Sequence, residues 1–426
     1  MNEVSIGTLR LPQTRSARVG EKIAREAIFR LLSKLQVGSL TLHEGPCSHH
    51  FGSIDKPHEP QAEVHIHSPA VYSQMLTGGS IGSGEAYMKG YWSSPDAMDV
   101  MRIFSANLVL LNKFDASQSV FIKLALKIAH RFNRNTYKGS QLNIAAHYDL
   151  GNEFFQLFLD PTMMYSSALF SDKSASLEVA SETKLDELCQ QLELKPGDHL
   201  LEIGTGWGGM AIHAAKNFGC RVTTTTISQE QYDFASARVM EEGLEGQITL
   251  LCEDYRNLTG EYDKLVSVEM IEAVGHDFYQ NYFRMCSGLL KPNGKMVIQA
   301  ITMADQRYKE ARDSVDFIKR YIFPGGCLPS VAVMAQHIAR DTDMQIVHLR
   351  DITNDYAETL AHWRQRFLAN LEAVRGMGFS EEFVRMWDFY LCYCEGGFRE
   401  RVISTVQLAF AKPDYRFQGS VAPVCE

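Results

Sequence analysis

Apolar and polar positions divide the chain into two unlike regions. In the larger one, short apolar runs alternate with stretches of helical period. Leu200 to Ile203 run into Gly204-Thr-Gly206-Trp-Gly208-Gly209 and then into Met210 to Asn217, whose pattern is helical. A buried strand, a glycine turn and a helix opening form the first half of a nucleotide-binding βαβ unit. A second strand ends at Thr223 to Thr226, and Gln247 to Leu251 reads as a third. Lys264 to Val268 is a fourth, and Lys295 to Ile301 a fifth, introduced by the turn Pro292-Asn-Gly294. Gln345 to Leu349 and Ile403 to Phe410 bring the count to seven. Strand–helix alternation at this spacing predicts a parallel sheet wrapped by helices.

Upstream the pattern changes. Residues 1–19 are polar and unpatterned, and are expected to be a flexible N-terminus. Helical period begins at Glu21, short alternating segments follow at Gly38 to Leu42 and Glu63 to Ile66, and a glycine-rich stretch runs from Gly78 to Gly84. We read 20–111 as a small α+β domain with a structural turn at those glycines, because no lysine follows them as a phosphate-binding loop requires. A basic linker, 112–140, leads to a catalytic domain over 141–412 and a tail over 413–426. Within the catalytic domain, Ala146 to Asp160 predicts an amphipathic helix with Asp149 or Asn152 as caps. Pro161 to Phe170, rich in Met and aromatic residues, is placed to form a lid over a cofactor.

The nucleotide can be argued from the loop. Gly204, Gly206 and Gly209 satisfy the dinucleotide pattern, which also asks for an acid at the end of the second strand. Here that strand ends in threonines, Ile227 and Ser228, with no carboxylate. Glu202, just before the first glycine, suits the amino group of S-adenosylmethionine, and Thr226 to Gln231 is polar. The pattern therefore favours a methyltransferase over a dehydrogenase. Ligands on such sheets sit at the C-terminal strand ends. Gly204, Thr226, Asp254, Glu272 and Gln299 all fall at or near those ends.

Composition narrows the partners. The chain has 426 residues and a formal charge of −9, which argues against a general nucleic-acid binder. Its nine cysteines are scattered and odd in number, as in a reducing cytosol, and no metal site is expected. No apolar run approaches the ~20 residues of a membrane span, and the N-terminus lacks a signal-type block. From Ala116 to Tyr148, however, there is no acidic residue, while Lys123, Lys127, Arg131, Arg134 and Lys138 recur every three or four positions. On a helix they share one side, either as a contact for an anionic membrane surface or as a solvated face paired with acids of the other domain.

Specific motifs then accumulate: HYDLGN (147–152), MMYSSALF (163–170), EIGTGWGG (202–209), TISQEQ (226–231), EDYRNL (253–258), MIEAVG (270–275), YIFPGGCLPS (321–330) and CEGGFRER (394–401). In order and spacing they resemble the cyclopropane-fatty-acyl-phospholipid synthase family, which includes the mycolic acid cyclopropane synthases. GGSIGSGEAYMKGYW (78–92) is similar to the N-terminal domain of its phospholipid-acting members. The resemblance implies the seven-stranded, Rossmann-like sheet of class I methyltransferases and S-adenosylmethionine as cofactor. It implies that Gly204, Gly206 and Gly208 hold the methionine part, that Tyr165 and Ser166 close over it, that Thr226 and Gln231 take the ribose–adenine region, and that Asp254 and Tyr255 flank the adenine. The implied substrate is a cis double bond in an acyl chain of a bilayer phospholipid. A peripheral contact with the inner membrane face of the cytoplasm, and a homodimer, go with it.

The implied chemistry is methyl transfer to the alkene, a carbocation, and loss of a proton as the ring closes. In the family bicarbonate is the base, held by groups that here include Glu272 and Tyr356. Three positions depart from the family pattern. Ser167 replaces a cysteine, Ala273 a histidine and Gln299 a histidine, while Ile301 is retained. Serine and glutamine can still hydrogen-bond an anion. Otherwise the cation loses a different proton and gives a methyl-branched or methylene chain without a ring.

Overall fold

The computed structural model describes residues 19–53, 56, 58–115, 150–172 and 174–417. The basic stripe at 123–138, His147 to Asp149 and most of the two terminal segments lie outside the described residues.

Seven strands form the large sheet: β5 (His199–Ile203), β6 (Arg221–Thr226), β7 (Ile248–Cys252), β8 (Tyr262–Val268), β9 (Leu290–Met303), β10 (Gln345–Asp351) and β11 (Ile403–Ala411), in the order β10-β11-β9-β8-β5-β6-β7. The pairs among β5 to β9 are parallel, whereas β11 pairs antiparallel with both β9 and β10. The central strands are buried on both faces, which explains their nearly continuous apolar runs. After β7 the chain crosses to the other side of β5, so the order reverses between β5 and β8. A crevice opens there at the C-terminal strand ends.

The N-terminal region builds a second sheet from β1 (Ser39–Glu44), β2 (Cys47–Gly52), β3 (Gln61–Ile66) and β4 (Trp92–Ser93), in the order β2-β1-β3-β4. Its glycine-rich stretch is not a turn. It lies inside the helix Ala70–Met88, which is kinked at Gly79 where φ is 53°. Packing is the reason: a Cβ on Gly84 would sit 2.5 Å from the Phe317 ring, and one on Gly82 would sit 2.0 Å from the Gln74 carbonyl oxygen. The glycines let a bent helix lie against the catalytic half.

That contact is intimate. The amphipathic helix Glu381–Arg399 packs on the helices Ala70–Met88, Ala97–Ala106 and Thr353–Ala369. The Tyr87 hydroxyl donates to the buried Asp388 at 2.5 Å, and Arg364 Nε reaches the other oxygen at 2.8 Å. Trp92, Phe317, Trp387 and Phe389 belong to one apolar core that runs through both regions. Among the described residues, no helix is long and apolar enough to cross a membrane.

Candidate active site

A cavity of about 1070 Å³ opens at the C-terminal ends of β5, β6 and β8. Its wall is built by the loops that leave those strands, and it continues past Phe323 and Leu328 to Leu40, Val71 and Trp92 of the N-terminal region.

The glycine loop forms one end. Gly204, Gly206 and Gly208 all have positive φ (105°, 52° and 87°), so each position suits glycine. Gly208 turns the chain into the helix Gly209–Phe218, and a Cβ on Gly209 would lie 2.5 Å from the Thr162 carbonyl oxygen. The segment before Tyr165 is thus seated on the loop. Arg238 fastens it there by donating to the carbonyls of Thr162 and Trp207 at 3.1 and 2.8 Å. Met163, Met164, Tyr165 and Ser166 line the cavity. Asn152 does not cap its helix; it opens the helix Asn152–Gln156 and accepts from Trp207 Nε1 at 2.6 Å.

Thr226 and Gln231 are both on the wall, and the Thr226 hydroxyl donates to Gln231 Oε1 at 2.8 Å. Asp254 and Tyr255 also line it, with Tyr255 edge-on to Tyr282. The Asp254 carboxylate receives the Arg256 guanidinium through Nε at 2.7 Å and Nη2 at 2.5 Å. Glu202 behaves differently from expectation. Only 2% exposed, it sits behind the loop, off the cavity wall, where it accepts from Thr224 Oγ1 at 2.6 Å. Burial pushes its carboxyl up to about 8. Its hydrogen bond ties it to the neighbouring strand in the sheet interior and not to the cavity wall.

Behind Ser166 lies a residue that the sequence motifs do not single out. Lys184, fully buried, donates from Nζ to Ser166 Oγ at 2.8 Å. Burial lowers its ammonium to about 8, against the pull of Glu269, Asp160 and Glu202. A signal exists in the helical pattern: Lys184 falls on the buried stripe Leu177, Ala180, Ser181, Leu185, Leu188, where a charge needs a reason.

The second such residue is Glu269, at the end of β8. Its φ is +48°, in the left-handed region that costs a non-glycine residue about 1–3 kcal/mol. Its Oε1 accepts from the Ser167 backbone N–H at 2.9 Å and from Gln299 Nε2 at 2.8 Å. The Tyr356 hydroxyl lies near this carboxylate and favours its charged form. Gln299 is aimed by a chain of amides, since its Oε1 accepts from Gln407 Nε2 at 3.0 Å and Gln407 Oε1 accepts from Gln191 Nε2 at 2.7 Å. Ser167, Gln299 and Tyr356 therefore gather as expected, but on Glu269 instead of Glu272. Ser167 contributes its backbone, because its hydroxyl is turned to the Ala168 carbonyl.

Glu272 lies one turn further on. Its Oε1 accepts from the Ile301 backbone N–H at 2.5 Å, while its buried Oε2 has no hydrogen-bond partner. Burial, and then the nearby Glu269, push its carboxyl up to about 8. Burial raises Glu269 as well, but its hydrogen bonds from Gln299 and Ser167, the Lys184 charge and Tyr356 pull it back. Two facing carboxyls hold one charge most easily. The donors on Glu269 favour the charge there, while burial and the neighbouring carboxyl favour the neutral form of Glu272. Both line the cavity with Ile301 and Tyr356, and Tyr390, Tyr393 and Phe398 complete an aromatic wall.

Comparison with known proteins fits this geometry. Residues 136–408 match the family model described as mycolic acid cyclopropane synthetase. The chain is 37% identical over 358 residues to the tuberculostearic acid methyltransferase of Mycobacterium tuberculosis, covering 82% of this chain and 83% of that protein. It is 38% identical over 354 residues to the cyclopropane-fatty-acyl-phospholipid synthase of Escherichia coli, covering 82% and 88%. A crystal structure of a mycolic acid cyclopropane synthase complexed with SAH and CTAB superposes with a TM-score of 0.60 at 29% identity, over 64% of this chain and 98% of that one. The chain is thus an S-adenosylmethionine-dependent methyltransferase, and it belongs to the mycolic acid cyclopropane synthetase family.

Proposed function

We propose that this protein transfers a methyl group from S-adenosylmethionine to the cis double bond of an unsaturated phospholipid acyl chain, and that the resulting cation closes to a cyclopropane. The observation that carries this reading is the continuous cavity joining the glycine loop, the two carboxyls and an apolar extension lined by Leu40, Val71 and Trp92. Its volume slightly exceeds the ~300–1,000 Å³ of small-ligand sites. That leaves room for an apolar chain beside a cofactor.

The cofactor supplies an electrophilic methyl group when bound; the chain's residues supply position and surroundings. An alkene is a poor nucleophile, so the wall must hold its π bond in line with the methyl group. Tyr390, Tyr393 and Phe398 offer π faces to the cation that follows, and the Glu269 anion offsets its charge. The E. coli relative, by its name, acts on phospholipid, which supports the same substrate class here. Release of S-adenosylhomocysteine tests the reading. It is expected with vesicles of monounsaturated phospholipid, and not with saturated vesicles; equal release with both sinks the alkene as acceptor.

A second reading is favoured by the relative named for tuberculostearic acid. Loss of a proton that leaves no ring would give a methylene or methyl-branched alkene.

The lipid would be met at the bilayer surface, and the basic stripe at 123–138 is the proposed contact. Each charge near anionic lipid is worth ~1 kcal/mol. The triple variant Lys123→Ala, Lys127→Ala, Arg131→Ala is therefore expected to partition onto anionic vesicles about a hundredfold more weakly at low salt. Unchanged co-sedimentation would return the stripe to a solvated face.

A further inference from the structure

We infer that the carboxylate of Glu269 is the proton acceptor of this enzyme, and that it takes the place of an added bicarbonate ion. The inference rests on the alkene-methylation reading above. Family resemblance implies bicarbonate held by Glu272, Tyr356 and the groups at 167 and 299. In this chain the donors at 167 and 299 are spent, since the Ser167 N–H and Gln299 Nε2 both end on Glu269 Oε1, and the Tyr356 hydroxyl lies near the same carboxylate. A second anion placed there would meet the carboxyls of Glu269 and Glu272, with the Ser167 and Gln299 donors already taken. Bicarbonate does not fit; a carboxylate of the protein already fills its position.

Several independent features agree. The amide chain from Gln191 through Gln407 points the NH₂ of Gln299, not its oxygen, at residue 269, which suits an anion. Lys184 lends a buried positive charge from behind. The left-handed backbone at 269 is one a glycine would adopt without strain, so the side chain is retained at a conformational cost. Such strain concentrates where a side chain has work to do.

The step balances simply. After methyl transfer the acyl chain carries one positive charge and the cofactor has left as neutral S-adenosylhomocysteine. A C–H bond breaks, its electron pair forms the last C–C bond of the ring, and the proton goes to Glu269, which becomes a neutral acid. The Glu269 proton then passes to solvent before the next turnover.

The test uses wild type, Glu269→Gln and Glu269→Gly in buffer freed of carbon dioxide, with and without millimolar bicarbonate or formate. Wild type is expected to turn over equally well in both. Both variants are expected to lose about 10² or more in turnover, the scale of a positioned base. Only Glu269→Gly, which leaves a carboxylate-sized space and no backbone strain, is expected to recover tenfold or more with either anion. Cofactor binding should stay within a few-fold in both, which separates chemistry from misfolding. Carbon-13 NMR of labelled bicarbonate, with no lipid present, reads the site independently of turnover. Binding is expected for Glu269→Gly and not for wild type. A wild type that binds bicarbonate or needs it, or a Glu269→Gly that works unaided, overturns the inference. If wild type methylates no lipid at all while the NMR result holds, the lipid reading falls and the anion pocket stands.

Discussion

Replacing Lys184 by methionine is expected to cost the protein about 3–5 kcal/mol of stability near neutral pH, the range found when one partner of a buried ionic group is removed. Methionine fills much the same volume, so the loss comes from electrostatics. The ammonium is fully buried, donates to Ser166 and faces Glu269, Asp160 and Glu202 at once. Without it the Glu269 anion loses a nearby cation that draws its carboxyl downward. The carboxyl then titrates higher still, and less of it is free to accept a proton at pH 7. Turnover should fall, and the pH–rate profile should move to the alkaline side. Below the new pKa, the rate at a fixed pH drops about tenfold for every pH unit the profile moves. Urea unfolding and a pH–rate series check the two halves separately. Undiminished stability with an unmoved profile would mean that the ammonium compensates nothing.

Glu272→Gln should behave in the opposite way, and its effect depends on pH. In the folded protein the Glu272 carboxyl sits at about 8, against an ordinary 4.5. Between those values the folded state holds a proton that the unfolded chain has released. The associated stability is complete below pH 4.5 and is lost as pH rises towards 8, at about 1.4 kcal/mol per pH unit. Glutamine has no such proton to lose. The variant is therefore expected to gain on wild type by a few kcal/mol between pH 5 and pH 8. Because glutamine resembles the neutral acid in shape, turnover near pH 7 should stay within about tenfold, far above that of Glu269→Gln. A loss of 10² or more would make Glu272 the base and reverse the assignment of charge within the pair.

Most of the frame is legible in the chain itself. The apolar runs that lead to Gly204 and end at Val268 are strands of the sheet, because burial on both faces leaves a simple signature in sequence. Gly206 and Gly208 are legible for a related reason: a turn into a helix at positive φ admits few other residues. The glycines from 78 to 84 mislead because glycine serves two ends. There it lets a helix bend and a neighbouring ring approach, and only the fold reveals the neighbour. Glu269 and Glu272 sit three residues apart at one strand end, and nothing local decides which receives the donors. That depends on Ser167, Gln299 and Tyr356, which come from three distant parts of the chain. Glu202 misleads for the same reason: adjacency to the glycine loop does not say whether a side chain points at the cavity or into the sheet.

The measurement closest to the central claim is the mass of the lipid itself. Vesicles of monounsaturated phospholipid are incubated with the protein and methyl-deuterated S-adenosylmethionine, and the acyl chains are weighed before and after catalytic hydrogenation. The account predicts a gain of one CD₂ unit in a chain that takes up no hydrogen, with the third deuterium lost to the base. A labelled chain that still takes up hydrogen contradicts ring closure and leaves methyl transfer in place. A lipid that carries no label contradicts the account at its centre.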